Sequence, residues 1–188
     1  MLFRFVFPVL AAAALALPAA AQDETALIQK RQQVREMTRD ALAYLYEIQP
    51  GARYGIDHAA GYGVFSTFGI KIFFAGGTTG SGVVVDNRTH RDTFMKMVKV
   101  QAGLGFGLSK DRLIFVFETQ NALRQFVNQG WEFGGQASLA AMVAEQGGTF
   151  AGAISVFPGV YLYQLTDTGL SAALTLSGTK FFKDSDLH

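Results

Sequence analysis

A glycine-rich run is the most conspicuous candidate for chemistry in this sequence of 188 residues. Gly76-Gly77-Thr78-Thr79-Gly80-Ser81-Gly82 has the composition of loops whose backbone amides hold phosphate groups. A dinucleotide site needs a helix directly after the glycines, and here Val83-Val84-Val85 follows, which favours a strand. No Gly-Lys-Ser/Thr ending is present either. We therefore predict a hairpin between strands and no nucleotide site, with structural roles for Gly76, Gly77, Gly80 and Gly82.

The residue types that usually carry catalysis or bind metal ions are scattered or missing. Cysteine is absent, which excludes disulfides, thiol catalysis and Cys-bound metal ions. His58, His90 and His188 show no i, i+4 pair of the kind that holds zinc. Ser177-Gly-Thr-Lys180 has the Ser-x-x-Lys spacing of penicillin-recognising enzymes, but that serine should begin a helix, and here it ends a predicted strand. We expect no enzyme activity, no metal and no cofactor.

Lys71 is the most informative charged residue, because it lies inside an apolar strand, Phe68-Gly-Ile-Lys-Ile-Phe-Phe74. Two interpretations are open. In the first, the stem of the lysine packs while its amine reaches solvent. In the second, the lysine meets an anionic group in a ligand cleft or at a membrane surface. Nearby basic residues would then join it in one patch: Arg88, Arg91, Lys96 and Lys99.

The elements that must position these residues are a long helix and a series of strands. Leu27, Val34, Ala41 and Ile48 recur every seven residues and predict a helix over about residues 24–49, ended by Pro50-Gly51. Short apolar runs over about residues 60–178 predict seven or eight strands, and residues 121–129 predict a short second helix. Short connections favour antiparallel pairing. We predict an α+β fold with a coiled, barrel-like antiparallel sheet.

The N-terminal residues have the pattern of a cleaved secretory signal. Arg4 precedes the apolar run Val9–Leu17, and Ala19-Ala20-Ala21 supplies a cleavage site before Gln22. A spanning helix needs about 20 apolar residues, more than this run provides. We expect residues 1–21 to be removed, residues 22–188 to form a single domain, and the protein to reside in the periplasm or cell envelope.

The overall charge is balanced. The sequence has 16 Lys and Arg against 15 Asp and Glu, and the two totals are equal without Arg4. Proteins that bind nucleic acid usually carry a basic footprint, which is missing here. We therefore expect no nucleic-acid partner.

The spacing of glycine and aromatic residues carries a family resemblance over about residues 40–183. The segments that carry it are Ala60–Phe65, Ile70-Lys71, Gly76-Gly77, Gly80–Val85, Gly103–Gly107, Leu113–Phe117, Ala122–Phe126, Gly134-Gly135, Ala137–Ala141, Tyr163–Leu170 and Ser171–Gly178. They resemble the SYLF domain family, also called the Las17-binding or actin-regulator-type family. Members usually carry a Trp-Ser-x-Pro-like stretch before the central glycine repeats, where this chain has residues 91–96. The resemblance implies lipid binding, with phosphoinositides favoured by eukaryotic members, and actin binding in fungal ones.

For an exported protein, the resemblance implies a non-catalytic module that associates with phospholipid or a membrane surface. The candidate lipid-binding residues are Lys71, Phe73, Phe74, Arg88, Arg91, Lys96 and Lys99. The alternative is a structural or protein-interaction module of the envelope that binds no lipid and has an envelope protein as its partner. The balanced charge favours this alternative.

Overall fold

The computed structural model describes residues 19–72, 75–102, 107–133, 149–171, 176 and 178–187. The predicted signal lies outside these residues except for its last three, which begin the first helix. The helices are α1 (Ala19–Ile48), α2 (Gly51–His58), α3 (Gln120–Gln129) and a 3-10 turn (Ser185–Leu187). The strands are β1 (Gly61–Ile72), β2 (Ala75–Asp86), β3 (Arg91–Ala102), β4 (Gly107–Phe117), β5 (Trp131–Phe133), β6 (Ile154–Phe157), β7 (Val160–Thr166), β8 (Gly169–Leu170) and β9 (Thr179–Lys183).

The strands form one antiparallel sheet that curls strongly on itself. Its order is β5-β9-β3-β2-β1-β4-β7-β6, and β8 pairs with β7 outside this path. The two ends of the order come together, because the rings of Trp131 in β5 and Phe157 in β6 have centroids 4.5 Å apart. The predicted α+β fold with a barrel-like antiparallel sheet is therefore confirmed.

Alternate residues of the central strands face two different cores. The concave face packs around α3 and is rich in aromatic rings, with Phe65, Phe115 and Phe126 completely buried. The convex face packs against α1 and α2 through residues such as Val64 and Ile114. Residues 113–117 of β4 form a continuous apolar run because that part of the strand is covered on both faces.

Helix α1 lies on the convex face through the stripe that the sequence predicts. Val34, Ala41 and Leu45 are buried, and Ile48 is partly buried where the helix ends before Pro50. Helix α3 also forms as predicted. The Thr119 side chain accepts a hydrogen bond from the Ala122 amide at its start, and Gly130 ends it with a φ of 66°.

Two predictions about the elements are wrong. Gly76–Gly82 is not a hairpin but lies within β2, since β1 and β3 pair with it on both sides and extend the ladder through the glycines. Strand β1 likewise continues through Gly69, because β2 and β4 pair with it on both sides. The sequence also predicts two helices, whereas α2 begins at Gly51, directly after the predicted helix stop, and buries Ala52 and Ile56.

Candidate functional site

The two longest ladders end together at one end of the sheet, which we call the apolar tip. Its described residues are the paired strand ends Ile72, Ala75, Ala102 and Gly107, together with residues 98–100 of β3. The side chain of Val100 is 74% exposed and that of Val98 is 37% exposed. Few apolar side chains are left this open in the described part of the chain, so the tip is a candidate contact surface.

Lysines outnumber carboxylates near the apolar tip, where Asp111 lies close to Lys99. Between Gly61 and Val85, and between Thr93 and Lys110, the sequence has four lysines and no Asp or Glu. Lys71 lies in this region, where its backbone pairs with Gly76 and Gly107. Phe73 and Phe74, which follow it in the sequence, lie outside the described residues.

Arg88 and Arg91 lie at the opposite end of β2, in and after the turn that leads to β3. They line a cavity of about 290 Å³ between this turn, the concave face of the sheet and α3, which we call the basic cleft. Arg124 of α3 and Lys183 of β9 line the same cavity, and its apolar wall contains Val84, Leu123 and Val127. Four cations from separate elements therefore converge on one hollow.

Hydrogen bonds between side chains and the backbone fix the turn of the basic cleft. Asp86 Oδ1 accepts hydrogen bonds from the amides of Arg88 at 2.9 Å and Thr89 at 3.0 Å. Asn87 Nδ2 donates to the carbonyls of Ile56 at 2.7 Å and Ala59 at 3.0 Å, which ties the turn to α2. His90 closes the turn with a φ of 53°. The cleft is thus built on a rigid frame.

Asp86 is the one carboxylate that lines the basic cleft among the described residues. Desolvation tends to raise its pKa, but hydrogen bonds from Thr89 and Arg88, with a further one from Gln120, lower the pKa below the ordinary value. The hydrogen bonds of the turn therefore stabilise the ionised form of Asp86. The side chains of Arg88, Arg91 and Arg124 have no hydrogen bond or ion pair within the described ranges.

Lys96 points away from the basic cleft, to the convex face. It reaches Asp184 at 2.9 Å and Asp186 at 2.7 Å. Its hydrogen bonds to Asp186 and Asp184 raise the pKa of Lys96. It also lines a groove of about 580 Å³ between α1 and the sheet, whose walls include Val34, Met37, Thr79 and Val98. Lys96 is therefore part of the contact that holds the C-terminal residues against the sheet.

Lys99 lies on the concave face, on the opposite side of β3 from Lys96. Burial lowers the pKa of Lys99, and the nearby Asp111 of β4 partly offsets this. Burial likewise raises the pKa of Asp111, and Lys99 partly offsets it. Strands β1 and β2 separate β3 from β4, so this pair interacts across the curl of the sheet.

The glycines of β2 differ in how closely they are packed. A Cβ atom at Gly82 would lie 2.4 Å from the Phe65 ring, and one at Gly80 would lie 2.8 Å from the Ser66 carbonyl oxygen. At Gly77 nothing lies within 4 Å of such an atom. The backbone of Gly76 pairs with Lys71 and Gln101. Close packing thus explains Gly82 and Gly80 but gives no reason for glycine at position 77.

The predicted lipid-binding residues that the structure describes do not form one patch. Arg91 pairs with Asp86 at one end of β2, whereas Ile72 pairs with Ala75 at the other end of that strand. Eleven steps of about 3.3 Å separate these ends, or about 36 Å. Arg88 and Arg91 come together at one end and Lys71 lies at the other, while Lys96 and Lys99 occupy opposite faces of β3.

Sequence reasoning missed Arg124, Lys183 and Asp184. Arg124 and Lys183 reach the basic cleft only because α3 and β9 pack beside β3. Neither has a local pattern that would identify it. The terminal Asp-Ser-Asp sequence was a possible signal for Asp184, since charged residues gathered at a strand end often pair.

No group of three His, Asp or Glu side chains in the described ranges is arranged to hold a metal ion. None of the helices in those ranges combines the length and apolar character needed to cross a membrane.

Comparison with known proteins gives two matches. Residues 98–188 match the family model Ysc84, described as Las17-binding protein actin regulator. The chain is also 30% identical over 156 residues to Beta cell expansion factor A of Aeromonas veronii. This alignment covers 82% of the chain and 57% of that relative, so the chain spans a little over half of the relative's length. The match to the Ysc84 family over residues 98–188 confirms the SYLF resemblance over that part of the sequence.

Proposed function

We propose that this chain is a non-catalytic, peripheral phospholipid-binding module of the cell envelope that contacts the membrane through its apolar tip. The observation that carries the proposal is the exposure of Val98 and Val100 beside the paired ends of two long ladders. Exposed apolar side chains lose contact with water when they enter the interface of a bilayer. The sequence prediction of a secretory signal supports the envelope location.

Charge also supports this orientation toward a membrane. Lys71, whose strand ends at the tip, would be attracted to anionic lipid headgroups, and no Asp or Glu occurs between Gly61 and Val85. Phe73 and Phe74 follow Ile72 directly in the sequence, and phenylalanine is among the apolar residues that interfacial segments bury in a bilayer. Lys71 and these two phenylalanines are therefore close together in the sequence, where β1 ends.

Co-sedimentation with vesicles tests the proposal. The purified chain is incubated at low and high salt with vesicles of phosphatidylcholine alone, or of phosphatidylcholine with phosphatidylglycerol. We expect binding that is stronger with phosphatidylglycerol and weaker at high salt. Absence of binding to both kinds of vesicle at low salt would defeat the proposal.

A matched pair of variants locates the contact. Val100→Asp places a charge at the tip, and Ile28→Asp places the same charge at a comparably exposed apolar residue of α1. We expect Val100→Asp to weaken vesicle binding about tenfold, because an inserted valine is worth about 1.5 kcal/mol or more. Ile28→Asp should bind as the unchanged chain does. Equal binding by both variants would place the contact elsewhere.

A protein-interaction module is the second candidate, and the family description favours it, because the Ysc84 family is described as Las17-binding. Affinity capture from envelope extract, before and after delipidation, separates the two candidates. A stoichiometric protein that stays bound after delipidation supports the second candidate. Loss of all partners on delipidation supports the first.

A further inference from the structure

We propose that the basic cleft is a second binding site, which takes the phosphate group of a small phosphoester. The proposal does not depend on the function of the apolar tip, because different residues carry it. The cleft brings together Arg88, Arg91, Arg124 and Lys183 from a turn, a strand, a helix and a second strand. Asp86 is the one carboxylate among the described residues that line the cleft, so four positive charges face one negative charge and repel one another on balance.

The arginines of the basic cleft are available for a ligand. Within the described part of the chain, the side chains of Arg88, Arg91 and Arg124 have no carboxylate partner, whereas Arg35 pairs with Asp92 and Arg39 with Glu36. Guanidinium groups bind phosphate oxygens in pairs of parallel hydrogen bonds. A phosphate group is therefore the chemistry that this set of donors fits best.

Asp86 does not cancel this preference. Its single negative charge, which accepts hydrogen bonds from the amides of Arg88 and Thr89, is outnumbered by the four positive charges that line the cleft. Lys183 Nζ lies 3.3 Å from Asn128 Oδ1, an uncharged acceptor that leaves the positive charge of the lysine uncompensated. The balance of charge at the cleft stays positive.

The size and lining of the cleft limit the ligand. A volume of about 290 Å³ is at the small end of the range for ligand sites, roughly 300–1,000 Å³. It accommodates a phosphate and a few attached atoms. The apolar wall formed by Val84, Leu123 and Val127 provides a surface for the carbon atoms of an ester group. Thr89 and Thr93 add hydroxyl groups at the rim.

The position of the basic cleft relative to the apolar tip indicates whether its phosphate belongs to a soluble molecule or to a lipid headgroup. The basic cleft lies about 36 Å along the β1–β2 ladder from the apolar tip, so a chain bound to a membrane through its tip holds the cleft away from that membrane. A soluble phosphoester is therefore the ligand we expect. A phosphate headgroup of a second membrane has the same chemistry, and the experiment distinguishes it.

Isothermal titration calorimetry with glycerol 3-phosphate tests the proposal, with glycerol as the uncharged control. The unchanged chain should bind glycerol 3-phosphate and not glycerol. The double variant Arg91→Gln, Arg124→Gln should lose about tenfold or more in affinity, since charge-assisted hydrogen bonds are removed. Arg39→Gln, at an exposed position of α1, is the matched control and should bind normally. Unchanged thermal unfolding midpoints would show that the variants fold.

A second arm uses vesicles that contain phosphatidic acid, a phosphomonoester in a membrane. If the unchanged chain binds glycerol 3-phosphate and the double variant does not, the cleft takes a soluble ligand. Binding to phosphatidic acid vesicles alone, lost in the double variant but kept in Val100→Asp, assigns it to a headgroup. The proposal is overturned if neither probe binds, or if the double variant binds as tightly as the unchanged chain. If the apolar tip does not bind vesicles, the calorimetric result for the basic cleft is unaffected.

Discussion

Lys96 Nζ lies 2.9 Å from Oδ1 of Asp184, a carboxylate that is completely buried on the convex side of the sheet. The amide of Asp184 donates to the carbonyl of Phe94, and Arg31 Nε donates to the carbonyl of Leu187 at 3.0 Å. Leu187 itself is buried against α1 and β3. These contacts fasten the C-terminal residues between α1 and the sheet.

Lys96→Met should destabilise the fold by about 2–4 kcal/mol, because it leaves a buried carboxylate without its close cation. The next amine, Lys30 Nζ, is 3.9 Å from Asp184. Lys180→Met is the control: it breaks the exposed pair with Glu132 in the neighbouring strand and should cost less than about 1 kcal/mol. Urea unfolding measures both, and equal losses would contradict a structural role for Lys96.

Gly82→Ala should destabilise the fold by about 1–3 kcal/mol or more, because its Cβ has no room beside the Phe65 ring. Gly77→Ala lies in the same strand and meets nothing within 4 Å. It should be neutral or stabilising by less than about 1 kcal/mol, since alanine restricts the unfolded chain more than glycine does. Thermal unfolding of the two variants compares them. A fold that tolerates both changes equally would show that β2 adjusts its backbone.

Phe126→Ala should cost about 3–5 kcal/mol, because Phe126 is completely buried at the centre of the aromatic core. Its ring centroid is 5.0 Å from that of Trp131, the single tryptophan, so the change should also alter tryptophan fluorescence. Phe157→Ala removes another neighbour of Trp131 but is 41% exposed and should cost clearly less. Fluorescence-detected unfolding measures both effects. Similar stability losses would mean that the contact between β5 and β6 matters as much as the aromatic core.

Stability should fall in alkaline solution through the buried tyrosines. Burial raises the pKa of Tyr163 to about 12, and Tyr46 is also raised to about 12 by burial and by the charge of Asp57. In the unfolded chain tyrosine ionises near pH 10. The stabilising contribution of these tyrosines to the folded state changes between these pH values: it is complete below about pH 10 and is lost as the pH rises toward 12.

The variant Tyr163→Phe should flatten this alkaline loss of stability, because it removes one group that ionises on unfolding. Tyr54→Phe, at a position that is 61% exposed, should leave the slope unchanged. Urea unfolding at several pH values measures the slope, and absorbance of the phenolate measures the ionisation. A slope that is the same in both variants would contradict the assignment to Tyr163.

The helices show what sequence reasoning could predict. The stripe of Val34 and Ala41 predicts α1 because a helix repeats every 3.6 residues, which is a local property. Helix α2 was missed because Pro50-Gly51 ends one helix and begins another. Its stability comes from the burial of Ile56 beneath α1, which no local pattern reveals.

Strand and site predictions failed where pairing across the sheet decides the outcome. The glycines of Gly76–Gly82 indicate a break, but one partner strand on each side keeps them extended. Arg88 and Arg91 lie near each other because one turn joins them. Lys96 and Lys99 were grouped with them wrongly, since alternation places these two lysines on opposite faces of the same strand.

The curl of the sheet also determines how the molecule meets its own copies. An open sheet presents rows of unpaired amide and carbonyl groups at both margins, and such margins recruit strands from other chains. Here the outermost strands of the order, β5 and β6, have three and four residues, and Trp131 and Phe157 bring them against each other. Within the described part of the chain, β5 and β6 themselves therefore offer a neighbouring chain only a short length of backbone to extend.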